Sequence, residues 1–129
     1  MRKTARELMY QPAWYLFGGL MLLVVAILSL MPIDGGGVND KVGHLLIYAF
    51  LGGWFAAIAR SLRVLFASLA ALVGYGILIE LLQGLTGYRY AEFADVVANT
   101  AGCAVGGLTY LTPLNRWLHR LEVRFSTAS

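Results

Sequence analysis

Residues 64–85 read VLFASLAALVGYGILIELLQGL, 22 positions with a single charge, Glu80, placed near the end. An α-helix rises 1.5 Å per residue, so about 20 apolar residues reach across a hydrocarbon core about 30 Å thick. This stretch is long enough to cross a bilayer, and it is not isolated. Before it, residues 13–31 carry no charge in 19 positions, and 42–59 and 94–112 are apolar blocks of similar length.

The whole chain repeats this pattern. Of 129 residues 59% are hydrophobic and 13% charged, with a mean hydropathy of +0.69. Soluble domains hold about a quarter charged residues, so a soluble globular domain and a disordered chain are both excluded. Four blocks leave only short tails and connections. The expected fold is all-α, a single membrane domain over 1–129 built as a four-helix transmembrane bundle. Its helices fall near 13–31, 41–59, 64–84 and 94–112, followed by a short amphipathic C-terminal helix over 114–125. The first block does not read as a cleaved signal, because it is long for one, runs into Met31 and Pro32 without a small-x-small site, and precedes three further spans. Cys103 has no second cysteine to pair with and gives no indication of redox compartment.

Cytoplasmic loops are enriched in Lys and Arg. With four crossings the two termini and the 60–63 connection share a side holding Arg2, Lys3, Arg6, Arg60, Arg63, Arg116, Arg120 and Arg124, whereas Lys41 and Arg89 lie on the other. Eight bases and two acids, Glu7 and Glu122, leave +6 on the first side. Two bases and five acids, Asp34, Asp40, Glu80, Glu92 and Asp95, leave −3 on the second. Both termini are therefore expected in the cytoplasm. The net +3 reflects an inner face that attracts anionic lipids; no basic run with interleaved aromatics points to nucleic acid. In the tail, Leu114, Trp117, Leu118, Leu121 and Phe125 alternate with Arg116, Arg120 and Arg124 as in a helix lying on a membrane surface. Residues 32–39, with Gly35, Gly36 and Gly37, read as an external loop, and Asp40 suits the N-cap of the second helix.

Ionisable groups inside membrane segments are costly and are functional candidates by default. Lys41, His44 and Tyr48 fall at i, i+3 and i+7 on one helix face, continued by Gly52. Glu80 and Gln83 share a face of the third helix above Gly76, and Asp95 and Asn99 share a face of the fourth, continued by Gly102 and Gly106 at a spacing that permits close helix approach. Antiparallel connection brings all three faces to the external end. Arg89, from the 84–93 loop, would fold over them to complete a polar pocket.

The series Asp40-Lys41-x-x-His44-x-x-x-Tyr48, Glu80-x-x-Gln83, Arg89 and Asp95-x-x-x-Asn99-x-x-Gly102-x-x-x-Gly106 resembles the signature of the VanZ-like membrane proteins over residues 40–106. Many relatives carry a small hydroxyl residue where this chain has Glu92. The resemblance implies a multi-pass protein of the bacterial inner membrane and cell envelope, in a family whose founding member is linked to teicoplanin resistance. It supplies a compartment and a residue set rather than a reaction.

Several readings of the cluster stand side by side. As a functional site, His44, Glu80 and Asp95 are the candidate catalytic groups, with the His44 imidazole able to act as general acid or base. Asp40, Lys41, Tyr48, Gln83, Arg89 and Asn99 are the candidate ligand-binding groups, with the two cations suited to phosphate or carboxylate. The ligand would be a lipid-linked or cell-wall precursor, beside bulk membrane lipids. As a structural network, the same groups would pin four helices together in a non-catalytic membrane scaffold, although buried ion pairs often contribute little net stability. A proton-coupled carrier is weaker, since the cytoplasmic halves lack a polar path. No metal or cofactor is expected: one histidine with carboxylates and neighbouring cations is a poor zinc set, and a hard dication bridging Glu80 and Asp95 to a phosphate is the one metal reading left open. Cys103 reads as a packed thiol, and a homodimer is compatible with so thin a bundle.

Overall fold

Pro12 sets where the first helix begins: proline has no N–H to lose in a first turn, and the helix runs Gln11–Leu30 (α1). In the computed structural model, which describes residues 7–32 and 38–128, it is followed by α2 (Val38–Ile58), α3 (Leu62–Leu85), α4 (Phe93–Leu108) and α5 (Trp117–Ala128). No strand occurs among the described residues. Ser61 caps α3, its hydroxyl accepting the Val64 N–H at 3.3 Å. Gly87, at φ +79°, turns the chain out of α3 in a conformation that side-chain-bearing residues rarely adopt.

Three of these helices, α1, α2 and α3, are long and apolar enough to cross a membrane. Their outward faces fit that role. Leu16, Leu20, Leu23, Val24 and Ile27 are all exposed on α1, where Gly18 is the buried residue. An apolar face of this extent is stable in lipid and a liability in water.

The tightest pair is α2 with α4. A Cβ added at Gly102 would come within 2.5 Å of the Leu45 carbonyl oxygen, and one at Gly106 within 2.5 Å of the Gly53 nitrogen and into the Ala49 carbonyl. A Cβ at Gly52 would lie 2.8 Å from the Cys103 carbonyl oxygen. Glycines on both helices thus let backbone meet backbone, the small-residue packing of membrane helices. Cys103 is buried in this seam beside Tyr48, Leu51 and Leu72.

Some sequence expectations shift. The fourth helix stops at Leu108 rather than 112. Gly106 and Gly107 weaken its end, the Thr109 hydroxyl donates to the Gly106 carbonyl at 2.7 Å, and Thr109–Leu111 tightens into a 3-10 turn before Pro113. Asp40 is not an N-cap: α2 begins at Val38, placing Asp40 in its first turn. The basic lead-in at Arg2, Lys3 and Arg6, most of the expected 32–39 loop with its three glycines and Asp34, and Ser129 lie outside the described residues.

The amphipathic tail begins later than expected, since Leu114 sits in a second 3-10 turn, Pro113–Arg116, and α5 docks on the bundle. Leu118 is fully buried against Leu8, Trp54, Ala57 and Ile58, which is worth about 1.5–3 kcal/mol. On the same face the Glu122 carboxylate accepts the Met9 N–H at 2.7 Å, the Tyr10 N–H at 3.0 Å and the Trp14 indole N–H at 2.6 Å. A carboxylate at the entry of α1 also meets the positive end of that helix dipole.

Candidate functional site

The α2–α4 seam leads at one end to a buried polar cluster. Because α2 and α4 touch backbone to backbone, side chains one turn above the glycines have little room, and the polar ones must satisfy each other. Lys41 Nζ lies 2.5 Å from Glu92 Oε2 and 2.5 Å from Asp95 Oδ1. Asp95 is nearly fully buried, with 4% of its side chain exposed. His44 Nδ1 stands 2.8 Å from Asn99 Oδ1. Its Nε2 faces Asp40 Oδ2 and Asp95 Oδ2, each at 3.8 Å.

Beside this cluster, α3 supplies Glu80 and Gln83, both buried. Glu80 Oε2 accepts the Glu92 backbone N–H at 3.2 Å, and the Gln83 amide donates to the Ser29 carbonyl of α1 at 2.8 Å. Tyr88 from the following loop donates to the Leu30 carbonyl. The ends of α1 and α3 are thereby tied together over the site. Room for the Tyr48 ring and Asn99 comes from Gly76, where a Cβ would lie 3.2 Å from the ring and 3.1 Å from the Asn99 amide nitrogen.

A cleft of about 220 Å³ opens here, lined by Ser29, Asn39, Asp40, Gly43, His44, Tyr48, Gln83 and Arg89 with Val25, Leu28 and Ile47. The structure therefore brings together all nine candidate residues, divided into two layers. Lys41, Asp95, Asn99 and Glu80 lie in the helix interfaces. Asp40, His44, Tyr48, Gln83 and Arg89 face the cleft. Among the described residues Lys41 is paired to two carboxylates, while Arg89 forms no ion pair. Glu80 Oε1, Gln83 Oε1 and Asn99 Nδ2 are buried without a hydrogen-bond partner, a set of unmet capacity that a polar guest could satisfy.

Along the membrane, a second and larger groove of about 540 Å³ runs between α1 and α2, from Phe17 to Leu28 and from Leu46 to Leu51. It is apolar and shares Val25, Leu28 and Ile47 with the polar cleft. Two features here differ from the sequence reading, which sets aside one histidine with carboxylates as a poor metal set. Glu92 completes the Lys41 pair, where the sequence reading only counts it among the external acids. Asp40, His44 and Asp95 place three ligand-type atoms within 4.8 Å of one another. The His44 to Asp40 spacing of four residues was the available signal for half of it.

A helical protein with three membrane-competent spans and a polar cluster at one end is a small polytopic membrane protein. The profile of the VanZ/LLP1 family matches residues 3–116, and the chain belongs to that family. Over 108 residues it is 26% identical to the uncharacterized protein C11E3.10 of Schizosaccharomyces pombe, covering 81% of this chain and 67% of that protein. No solved structure matches it.

Proposed function

We propose that this chain is a membrane protein whose cleft binds the anionic polar head of a lipid-linked or cell-wall precursor on the external face of a bacterial inner membrane. One observation carries the reading. A polar cleft holding Arg89, a cation without a carboxylate partner among the described residues, shares the lining residues Val25, Leu28 and Ile47 with a neighbouring apolar groove. A phosphate or carboxylate would pair with the guanidinium, hydrogen-bonding groups of the head would meet Gln83 and Tyr48, and the chain of the amphiphile would leave along the groove. His44, Glu80 and Asp95 are the groups available for proton transfer if the head is also transformed.

The same reading has four crossings with both termini cytoplasmic. With its 3-10 turn, α4 covers Phe93 to Leu111, about 30 Å at the rises of the two helix types. That length matches a hydrocarbon core. Changed teicoplanin susceptibility would follow if the bound head belonged to a cell-wall precursor.

Native mass spectrometry in mild detergent tests the proposal by comparing lipids retained by the wild type and by Arg89→Gln. The expected result is a phosphate- or carboxylate-bearing amphiphile held by the wild type and lost from the variant. Identical bulk lipids on two folded proteins would overturn it. The alternative is a non-catalytic scaffold whose polar cluster is structural, and the specific support for it is Lys41, already bound to both Glu92 and Asp95. In that case Arg89→Gln changes nothing, and only breaking the Lys41 pairs has an effect.

A further inference from the structure

Three electron-rich atoms converge where α2 meets α4. His44 Nε2 lies 3.8 Å from an oxygen of Asp40 and 3.8 Å from an oxygen of Asp95, and the three donors fall within 4.8 Å of one another. The opposite ring nitrogen, Nδ1, stands 2.8 Å from Asn99 Oδ1. An amide oxygen only accepts, so Nδ1 carries the proton, and in the neutral ring Nε2 aims a lone pair at both carboxylates. Such an arrangement is repulsive unless positive charge lies between the three atoms.

A second observation concerns what surrounds them. Asp40, Glu80, Glu92 and Asp95 outnumber Lys41 and Arg89 by two charges. Lys41 is spent on Glu92 and on Asp95 Oδ1, leaving Asp95 Oδ2 turned toward His44. Glu80, 3% exposed, has an oxygen with no hydrogen-bond partner. What faces His44 Nε2 is one carboxylate oxygen each from Asp40 and Asp95, and no Lys or Arg among the described residues pairs with either of these two oxygens.

We infer that Asp40, His44 and Asp95 form a binding site for a divalent transition-metal cation. One imidazole nitrogen with two carboxylate oxygens suits Mn²⁺ or Zn²⁺ better than Mg²⁺ or Ca²⁺. Donor atoms 3.8 Å apart admit an ion between them with bonds of about 2.0–2.2 Å. Asn99 fixes the ring tautomer and Lys41 holds the second oxygen of Asp95, the supporting roles that metal ligands commonly require. Three protein ligands leave positions open toward the cleft, where an anionic oxygen could bind. Such a site assigns His44 and Asp95 to ligation and leaves Glu80 as the carboxylate free for proton transfer. The site does not depend on the headgroup reading, because the three donors are all from the protein.

The test is titration of the purified chain in neutral detergent with Mn²⁺, following the electron paramagnetic resonance signal of the free ion. The expected result is one bound ion per chain, displaced by Zn²⁺ and not by equimolar Mg²⁺. Asp40→Asn and His44→Gln each weaken binding at least tenfold, and Asn99→Ala weakens it about 10–100-fold. His119→Gln, at the far end of the molecule, leaves it unchanged. A free-ion signal undiminished by folded wild-type protein would overturn the inference in favour of an imidazolium held between the carboxylates, and so would binding that survives both ligand substitutions. If a variant does not fold, the wild type decides alone: the bound ion must show nitrogen coupling from one imidazole, and its absence overturns the site. Lipid retention by Arg89 is read without added metal, so the two proposals fail separately.

Discussion

Replacing Gly106 by alanine tests whether the α2–α4 seam holds the molecule together. The added methyl would enter the Ala49 carbonyl, sit 2.5 Å from the Gly53 nitrogen and 2.9 Å from the Gly52 carbonyl carbon. All three obstacles are backbone, so no rotamer change relieves them. Ordinary contact begins near 3.4 Å, so the helices must separate by roughly 1 Å, more than a close-packed interior accommodates without loss. Overpacking of this kind costs about 1–3 kcal/mol, occasionally more, and the lost backbone contacts along the seam add to it. Better helix propensity returns at most about 1 kcal/mol. The net expectation is a loss of about 2–4 kcal/mol, with Gly102→Ala behaving alike and also loosening the Lys41–Asp95 and His44–Asn99 contacts above it. Gly19→Ala is the internal reference, since nothing lies within 4 Å of its added Cβ; it should be neutral or slightly stabilising. Reversible unfolding in detergent, read by helical circular dichroism, measures all three. If Gly106→Ala and Gly102→Ala are as stable as Gly19→Ala, the close-packing argument is wrong.

Other outcomes follow from the same contacts. Lys41→Met should cost about 2–4 kcal/mol by leaving the buried Asp95 uncompensated, and adding Asp95→Leu should recover much of it; a double-mutant cycle in the same unfolding assay reads the coupling. Burial pushes the Glu122 carboxyl up, but bonds from Trp14, Tyr10 and Met9 outweigh it and hold the group below the ordinary carboxylate value of 4.5. Its contribution is therefore complete above pH 4.5 and lost as pH falls through the lowered folded value. Glu122→Gln should lower stability by about 1–3 kcal/mol at neutral pH and flatten the acid limb of a melting series; an unchanged limb counts against the carboxylate's role. For topology, in a Cys103→Ala background an impermeant thiol reagent should label Tyr90→Cys on intact cells and Phe125→Cys only after lysis, both positions being exposed. The reverse pattern would invert the proposed orientation.

Much of the fold was legible because the relevant physics is one-dimensional. A lipid core asks only for enough consecutive apolar residues, so the blocks at 13–31, 42–59 and 64–85 announce α1, α2 and α3 directly. Helical spacing likewise placed Lys41, His44 and Tyr48 on one face, and the glycines at 102 and 106 marked the seam. The end of α4 was less legible, because an apolar run does not reveal where Thr109 and Thr112 hydroxyls turn back on the backbone.

Sequence also could not say which partner each polar group takes. Lys41 and Arg89 are equivalent as letters, yet one is consumed by Glu92 and Asp95 while the other faces the cleft. Glu122 read as one more surface acid until the chain brought it, 113 residues away, to the backbone of Met9. Composition and period determine that this chain forms membrane helices and which residues share a face. Pairing depends on distances of a few ångströms between segments far apart in sequence, and only the packed helices set those distances.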